Sequence, residues 1–302
     1  MADFKNEFSW SKSRNETFNE CKKKYFFNHY GFWNGWNYNE KDRIKRIYYL
    51  KKLNTKEIWL GQIVHEIIKY ILNQLKLENN ISLSHATAIL RKKFGEGFLQ
   101  SSIKKYTGFN HKLNKFFEEE YGLNISEEDK KELLKKGESC LTNFYNSDTF
   151  VEIKKTPISD WISLEEFLSF NLEGSKIFLS MDFAMKKGDK VIIYDWKTGK
   201  ERFTESDLQL TCYALYASEK LGISPENIIT KIFNLSVNKE DTFEINKQKL
   251  IEMKNYIKES IGKMQSLLEE VENNTAKEEN FPKEEGFYCS RCNFKKICSG
   301  EW

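Results

Sequence analysis

The feature that most constrains this chain is a stretch of two strand-like runs joined by a tight turn. Residues 182–197 read Asp-Phe-Ala-Met-Lys-Lys-Gly-Asp-Lys-Val-Ile-Ile-Tyr-Asp-Trp-Lys. Gly-Asp between two apolar runs predicts a β-hairpin turning at Gly188-Asp189. Such a hairpin sets Asp182 beside Asp195. Strand side chains alternate, so Asp195 and Lys197 share one face. Two carboxylates and an ammonium on one face suit a divalent-metal site, with hard oxygens for Mg²⁺ or Mn²⁺ and a lysine to offset charge on a phosphate or to orient water. A salt-bridged hairpin with a solvated end is the plainer alternative, and the rest of the chain must decide between the two.

The surrounding pattern is α/β. Ile63, Ile67, Ile71 and Leu75 recur every four residues and predict an amphipathic helix over 59–77. Residues 84–148 read as helical and highly charged, with Ser126 and Asp129 as a start signal. Trp161–Leu172, Lys176–Met185 and Val191–Trp196 are rich in β-branched and aromatic residues, as strands are. A helix from about Glu205 to Leu221, a strand at Ile228–Val237 and a long helix over 247–272 follow. The apolar face of that last helix comprises Leu250, Met253, Ile257, Ile261, Met264, Leu268 and Val271. A charged linker, Glu272–Glu285, leads to a cysteine-rich tail. The expected organisation is an N-terminal segment 1–58, an α/β core formed by 59–77 and 150–272, a helical insertion 78–149, and a C-terminal segment 273–302.

Charged residues make up 31% of the 302 and the net charge is only +3, so a nucleic-acid footprint has to be local rather than global. No apolar run approaches the roughly 18 residues of a membrane span, and the N-terminus has no signal-like apolar region, which predicts a cytoplasmic protein. In that compartment the six cysteines are metal or cluster ligands, or core residues, before they are disulfides. Cys289, Cys292 and Cys298 form a C-x₂-C-x₅-C loop, and Cys21 is the best fourth ligand. Four thiolates suit an iron–sulfur cluster or structural zinc. Cys140 and Cys212 fall in helical patterns and read as core.

Two further features bear on the hairpin. His65 lies off the centre of the 59–77 apolar stripe, either packed or offering an imidazole to a metal. Gln209 and Tyr213, at i and i+4, share a helix face, either as surface and core or as a hydrogen-bonding pair that orients Lys197 or a phosphate. Near the N-terminus, Lys22-Lys23-Lys24 precede Tyr25, Phe26, Phe27, Tyr30, Phe32, Trp33, Trp36 and Tyr38. Between Asp42 and Glu57 there is no acid but there are Arg43, Lys45, Arg46, Lys51, Lys52 and Lys56. Cations for phosphates and aromatic faces for unpaired bases make this a candidate nucleic-acid surface.

His65, Asp182, Asp195-x-Lys197 and Gln209-x-x-x-Tyr213, in that order, resemble the motifs of the RecB-like branch of the PD-(D/E)XK nucleases. The cysteine arrangement resembles the iron–sulfur members of that branch, AddB-type and CRISPR-associated exonucleases. The resemblance leaves 78–150 uncovered. It implies a restriction-endonuclease-like core, a mixed sheet flanked by helices. His65, Asp182 and Asp195 would be metal ligands assisted by the Trp196 carbonyl, with Lys197 catalytic and Gln209 and Tyr213 supporting it. Cys21, Cys289, Cys292 and Cys298 would hold a 4Fe–4S cluster stapling the termini to the core, with structural Zn²⁺ as the alternative. Ser180 and Lys22 stand where the family often has glycine and proline.

The implied function is metal-dependent DNA cleavage on single strands or ends, with a helicase or other nucleic-acid-processing protein as a possible partner. There is no GxxxxGK[ST] loop for the chain to be a helicase itself. The rival reading is a non-catalytic, cluster- or zinc-stapled nucleic-acid-binding subunit.

Overall fold

A computed structural model describes residues 5–102, 114–199 and 203–301. The chain opens with a two-residue strand, β1 (Ser9–Trp10), and three helices, α1 (Lys12–Glu20), α2 (Lys22–Phe26) and α3 (Asp42–Lys51). Next come α4 (Lys56–Lys76), α5 (Leu83–Ser102), α6 (Phe117–Glu120), α7 (Glu127–Asn146) and α8 (Asp148–Lys155). Of the expected helical stretch 84–148, residues 103–113 lie outside the described residues. The Ser126 signal holds: its hydroxyl accepts from Asp129 N and the Asp129 carboxylate accepts from Ser126 N, a reciprocal cap.

Three strands follow, β2 (Trp161–Leu172), β3 (Ser175–Lys187) and β4 (Lys190–Lys197). The β3–β4 hairpin closes on Lys187 opposite Lys190, and Gly188 supplies the positive φ (+60°) that the turn needs. Then come α9 (Phe203–Leu221), β5 (Ile228–Asn234), β6 (Lys239–Glu244), α10 (Lys247–Gln265) and α11 (Lys295–Ser299). The last long helix is shorter than its pattern predicts: Leu268 is buried beyond its end, and Val271 is half-exposed.

The sheet is mixed, ordered β1-β3-β4-β5-β6, with β2 antiparallel along the other edge of β3. On the β4 side, β3 pairs with β1 only at Lys176–Ile177 and with β4 only from Phe183 onward. The edge of β3 between those two ladders is therefore open, and Ser180 and Asp182 lie in the opening.

One core, with Ile177, Met181, Val191 and Ile193, packs against α1, α2, α9 and α10. The opposite face, with Phe183, Ile192, Tyr194 and Trp196, is covered by α4, α5, α7 and α8. Gly97 and Gly137 make that second layer tight, because a Cβ at Gly97 would overlap the Trp59 ring and one at Gly137 would meet Leu60 at 2.9 Å. No described helix is long and apolar enough to cross a membrane.

Candidate active site

Helix α4 has two faces. Trp59, Leu60, Ile63, Val64, Ile67, Ile68, Ile71 and Leu72 are buried. Ile58, Gly61, Gln62, His65, Glu66 and Lys69 recur at i, i+3, i+4, i+7, i+8 and i+11, a stripe that lines an open cavity of about 700 Å³. Gly61, one turn before His65, lets the helix approach the end of β4, since a Cβ there would stand 2.9 Å from Thr198 Oγ1. That approach brings His65 Nδ1 to 3.2 Å from Asp182 Oδ1.

The hairpin delivers what its spacing predicts. The strands splay beyond the Phe183–Tyr194 pair, and Asp182 takes the ladder's place, its Oδ2 accepting from the Trp196 backbone N–H at 2.6 Å. The Trp196 ring packs into the α4-side core. Asp195 is buried, and its Oδ2 lies 3.0 Å from Lys197 Nζ. Lys197 Nζ also donates to Gln209 Oε1 at 3.0 Å. Gln209 Nε2 donates in turn to the Tyr213 hydroxyl, which points at the Ser180 carbonyl (2.5 Å) and Asp195 Oδ1 (3.3 Å). His65, Asp182, Asp195, Trp196, Lys197, Gln209 and Tyr213 thus all line one cavity. Ser180 serves through its backbone carbonyl, which any residue type supplies.

One member of the cavity escapes the sequence patterns. Glu165 Oε1 lies 3.3 Å from His65 Nδ1, and its carbonyl accepts from Lys69 Nζ at 2.9 Å. Oxygens of Glu165 and Asp182 and a nitrogen of His65 fall within 4.8 Å of one another. Glu165 has φ +48° in the middle of β2. A side chain other than glycine rarely adopts that conformation, and strain of this kind concentrates at functional sites. The available sequence signal is the acidic pair Glu165-Glu166 set between Leu164 and Phe167.

The electrostatics fit a cation. Burial pulls the His65 pKa down, but the Asp182 charge and hydrogen bonds to Asp182 and Glu165 outweigh it, so the ring is held protonated well above its ordinary range. Burial and then the Asp182 charge push Asp195 up to about 6, against the pull of Lys197. Burial, reinforced by the Asp182 charge, also raises Glu165. Asp195 Oδ2 is buried and accepts no aligned hydrogen bond among the described residues. Buried carboxylates that repel one another, with Lys197 alongside, suit a hard divalent cation, for which this oxygen-rich set with one imidazole is an appropriate donor group.

Cys21, Cys289, Cys292 and Cys298 are free thiols that line a second cavity of about 420 Å³. Burial pushes the Cys292 thiol up to about 11. Cys21 forms the joint between α1 and α2. Lys22 opens α2, the helix position that tolerates proline best, and its N–H and ammonium both reach Glu284, the latter at 2.5 Å. Cys140 and Cys212 are core residues, as expected.

The basic and aromatic N-terminal region divides. Tyr25, Phe26 and Phe27 are core, whereas Trp36 and Tyr38 are exposed. Arg43 pairs bidentately with Glu278 (2.8 and 2.9 Å), and Arg46 pairs with Glu120. These arginines hold the fold together. Lys51 sits over the Phe32 ring at 3.3 Å, and Lys52 donates to the Tyr48 hydroxyl at 2.6 Å.

Comparison with curated proteins returns no match. A profile of one family, described as the PD-(D/E)XK nuclease superfamily, matches residues 9–299, nearly the whole chain. With its motif residues converging on one cavity beside an open sheet edge, the chain belongs to the PD-(D/E)XK nuclease superfamily.

Proposed function

We propose that this protein is a metal-dependent deoxyribonuclease acting on single strands or DNA ends. The observation that carries this reading is the convergence of His65, Asp182, Asp195 and Lys197 on one open cavity. His65, Asp182 and Asp195 are the proposed ligands, with Glu165 beside them and the Trp196 carbonyl assisting. A divalent cation held there supplies Lewis-acid stabilisation of the charge on the scissile phosphate. Lys197 donates to a phosphate oxygen or to the attacking water. Gln209 fixes the Lys197 ammonium, and Tyr213 fixes Gln209 against Ser180 and Asp195. A chain of side chains locked by their own partners holds a donor in place before the reaction starts.

The four cysteines around the second cavity support a 4Fe–4S cluster of structural role, with a zinc staple as the alternative. Such a group would tie Cys21 to the tail across almost the entire chain and remove that freedom from the unfolded state. Direct contacts already join the same segments, including Lys23 N to Pro282 O at 3.1 Å and Lys23 Nζ to Glu278 O at 2.8 Å. A cytoplasmic setting and an accompanying helicase fit this reading.

Labelled single- and double-stranded DNA incubated with Mn²⁺, or with EDTA, tests the function. Metal-dependent degradation supports it. Binding without cleavage under all metals moves the protein to the class of non-catalytic nucleic-acid-binding subunits.

A further inference from the structure

The cavity-facing stripe of α4 contains one residue that does not belong on a polar surface. Gln62, His65, Glu66 and Lys69 are polar, and Gly61 permits close approach, yet Ile58 lines the cavity mouth with 56% of its surface exposed. Nothing in the fold requires an isoleucine there, because the neighbouring Trp59 and Leu60 make the core contacts. Seven residues of helix separate Ile58 from His65, about 10 Å along the axis, so Ile58 stands within about three nucleotide spacings of the metal ligands.

Lys136, supplied by α7, lines the same cavity. Its position is built in. Gly137 is the point where α7 presses on α4, with room for a Cβ only 2.9 Å from Leu60 and 3.1 Å from Leu90. That close packing leaves the preceding lysine at the cavity rim. Other charges on the rim are engaged: Glu57 with Lys56 at 3.0 Å, Glu66 with Lys93 at 2.8 Å, Lys69 with the Glu165 carbonyl, and Lys197 with Asp195. Lys136 has no carboxylate partner among the described residues.

We infer that Ile58 and Lys136 form a subsite for a nucleotide flanking the scissile phosphate, the isoleucine packing on an unpaired base and the lysine meeting its phosphate. This rests on the nuclease reading and sharpens it. An apolar side chain gains from a base only when that base is not already stacked in a duplex, whereas a phosphate is available in either form. The subsite therefore favours single strands or frayed ends.

The test measures binding to the full chain carrying Asp195→Asn, so that substrate survives. Fluorescence anisotropy is read with a single-stranded oligonucleotide and with a blunt duplex, across a salt series. Lys136→Ala should weaken both several-fold and lower the single-strand slope of log K against log salt by about 0.7, the loss of one phosphate contact. Lys136→Arg should restore most of the affinity. Ile58→Ala should weaken the single strand several-fold, leave the duplex and the salt slope unchanged, and be rescued by Ile58→Leu. Melting temperatures serve as the control for folding. Wild-type affinity and slope in Lys136→Ala, or equal losses on both substrates in Ile58→Ala, would overturn the subsite. If the parent chain cleaves DNA while these variants bind like it, the subsite alone fails. A parent that neither binds nor cleaves overturns the nuclease reading as well.

Discussion

Glu165 and Asp182 face each other across the β2–β3 ladder, between the pairs Leu164–Phe183 and Glu166–Met181, and at this step both strands exchange the face they cover. On β3, Ile177 and Met181 pack toward α9, whereas Phe183 and Met185 pack toward α4, although all four are odd-numbered. On β2, Leu164 and Phe170 divide in the same way. On β2 the switch coincides with the left-handed backbone at Glu165. Beside it, His65 from one helical layer reaches Glu165 and Asp182, and Tyr213 from the other reaches Asp195.

Strain at Glu165 gives a measurable signature. Glu165→Gly should be more stable than Glu165→Ala by about 1 kcal/mol, the reverse of their usual order in a strand, because glycine accepts φ +48° without penalty. Both variants should bind Mn²⁺ more weakly than the parent. Chemical denaturation and metal titration of the pair check this.

Gly61 should behave as a spacer. Gly61→Ala places a methyl group 2.9 Å from Thr198 Oγ1 and should push α4 and His65 away from Asp182, lowering metal affinity and cleavage at least tenfold. Thr198→Ala removes the obstructing oxygen, so the double variant should recover activity that Gly61→Ala lacks. Additive losses in the double variant would show that this contact does not set the position of α4.

Much of this arrangement is legible in the sequence, for physical reasons. The hairpin is marked by its turn residues between two apolar runs. His65 was marked by its place off a 3.6-period apolar stripe, and Gln209 and Tyr213 by i, i+4 spacing. Glu165 was hidden because alternation reads an acid in an edge strand as solvated, and no glycine or asparagine announces a left-handed residue. Two strands carried no readable pattern. β1 is two residues long, and β6 is the polar run Lys-Glu-Asp-Thr-Phe-Glu; both depend on pairing with a neighbour already in place. Arg43 and Arg46 read as phosphate ligands because their acidic partners, Glu278 and Glu120, lie far along the chain.

The raised groups predict how metal and pH interact. Asp195 is raised to about 6 from an ordinary 3.8, so its contribution to metal-free stability is full below pH 4 and lost as pH rises through 6. His65, also raised, acts in the same direction at higher pH. Metal-free protein should thus lose stability as pH rises from about 4 through 6 and further above 6.5, and added Mn²⁺ should raise the melting temperature more at pH 7.5 than at pH 5. A shift of equal size at both pH values would contradict the assignment of Asp195 to the metal.

With the proposed cluster in place, anaerobically purified protein should absorb near 400 nm; Cys21→Ser should remove that absorbance and destabilise the protein, whereas Cys140→Ser should leave it. One zinc and no iron in the purified protein would replace the cluster with a zinc staple.

The most direct test of the account compares the parent chain with Asp195→Asn and Lys197→Ala on labelled single-stranded DNA in Mn²⁺, with contaminating nuclease excluded. The parent should cleave in a reaction that EDTA abolishes, and neither variant should cleave, with melting curves showing both folded and Lys197→Ala still binding metal. Undiminished cleavage by Asp195→Asn would contradict it.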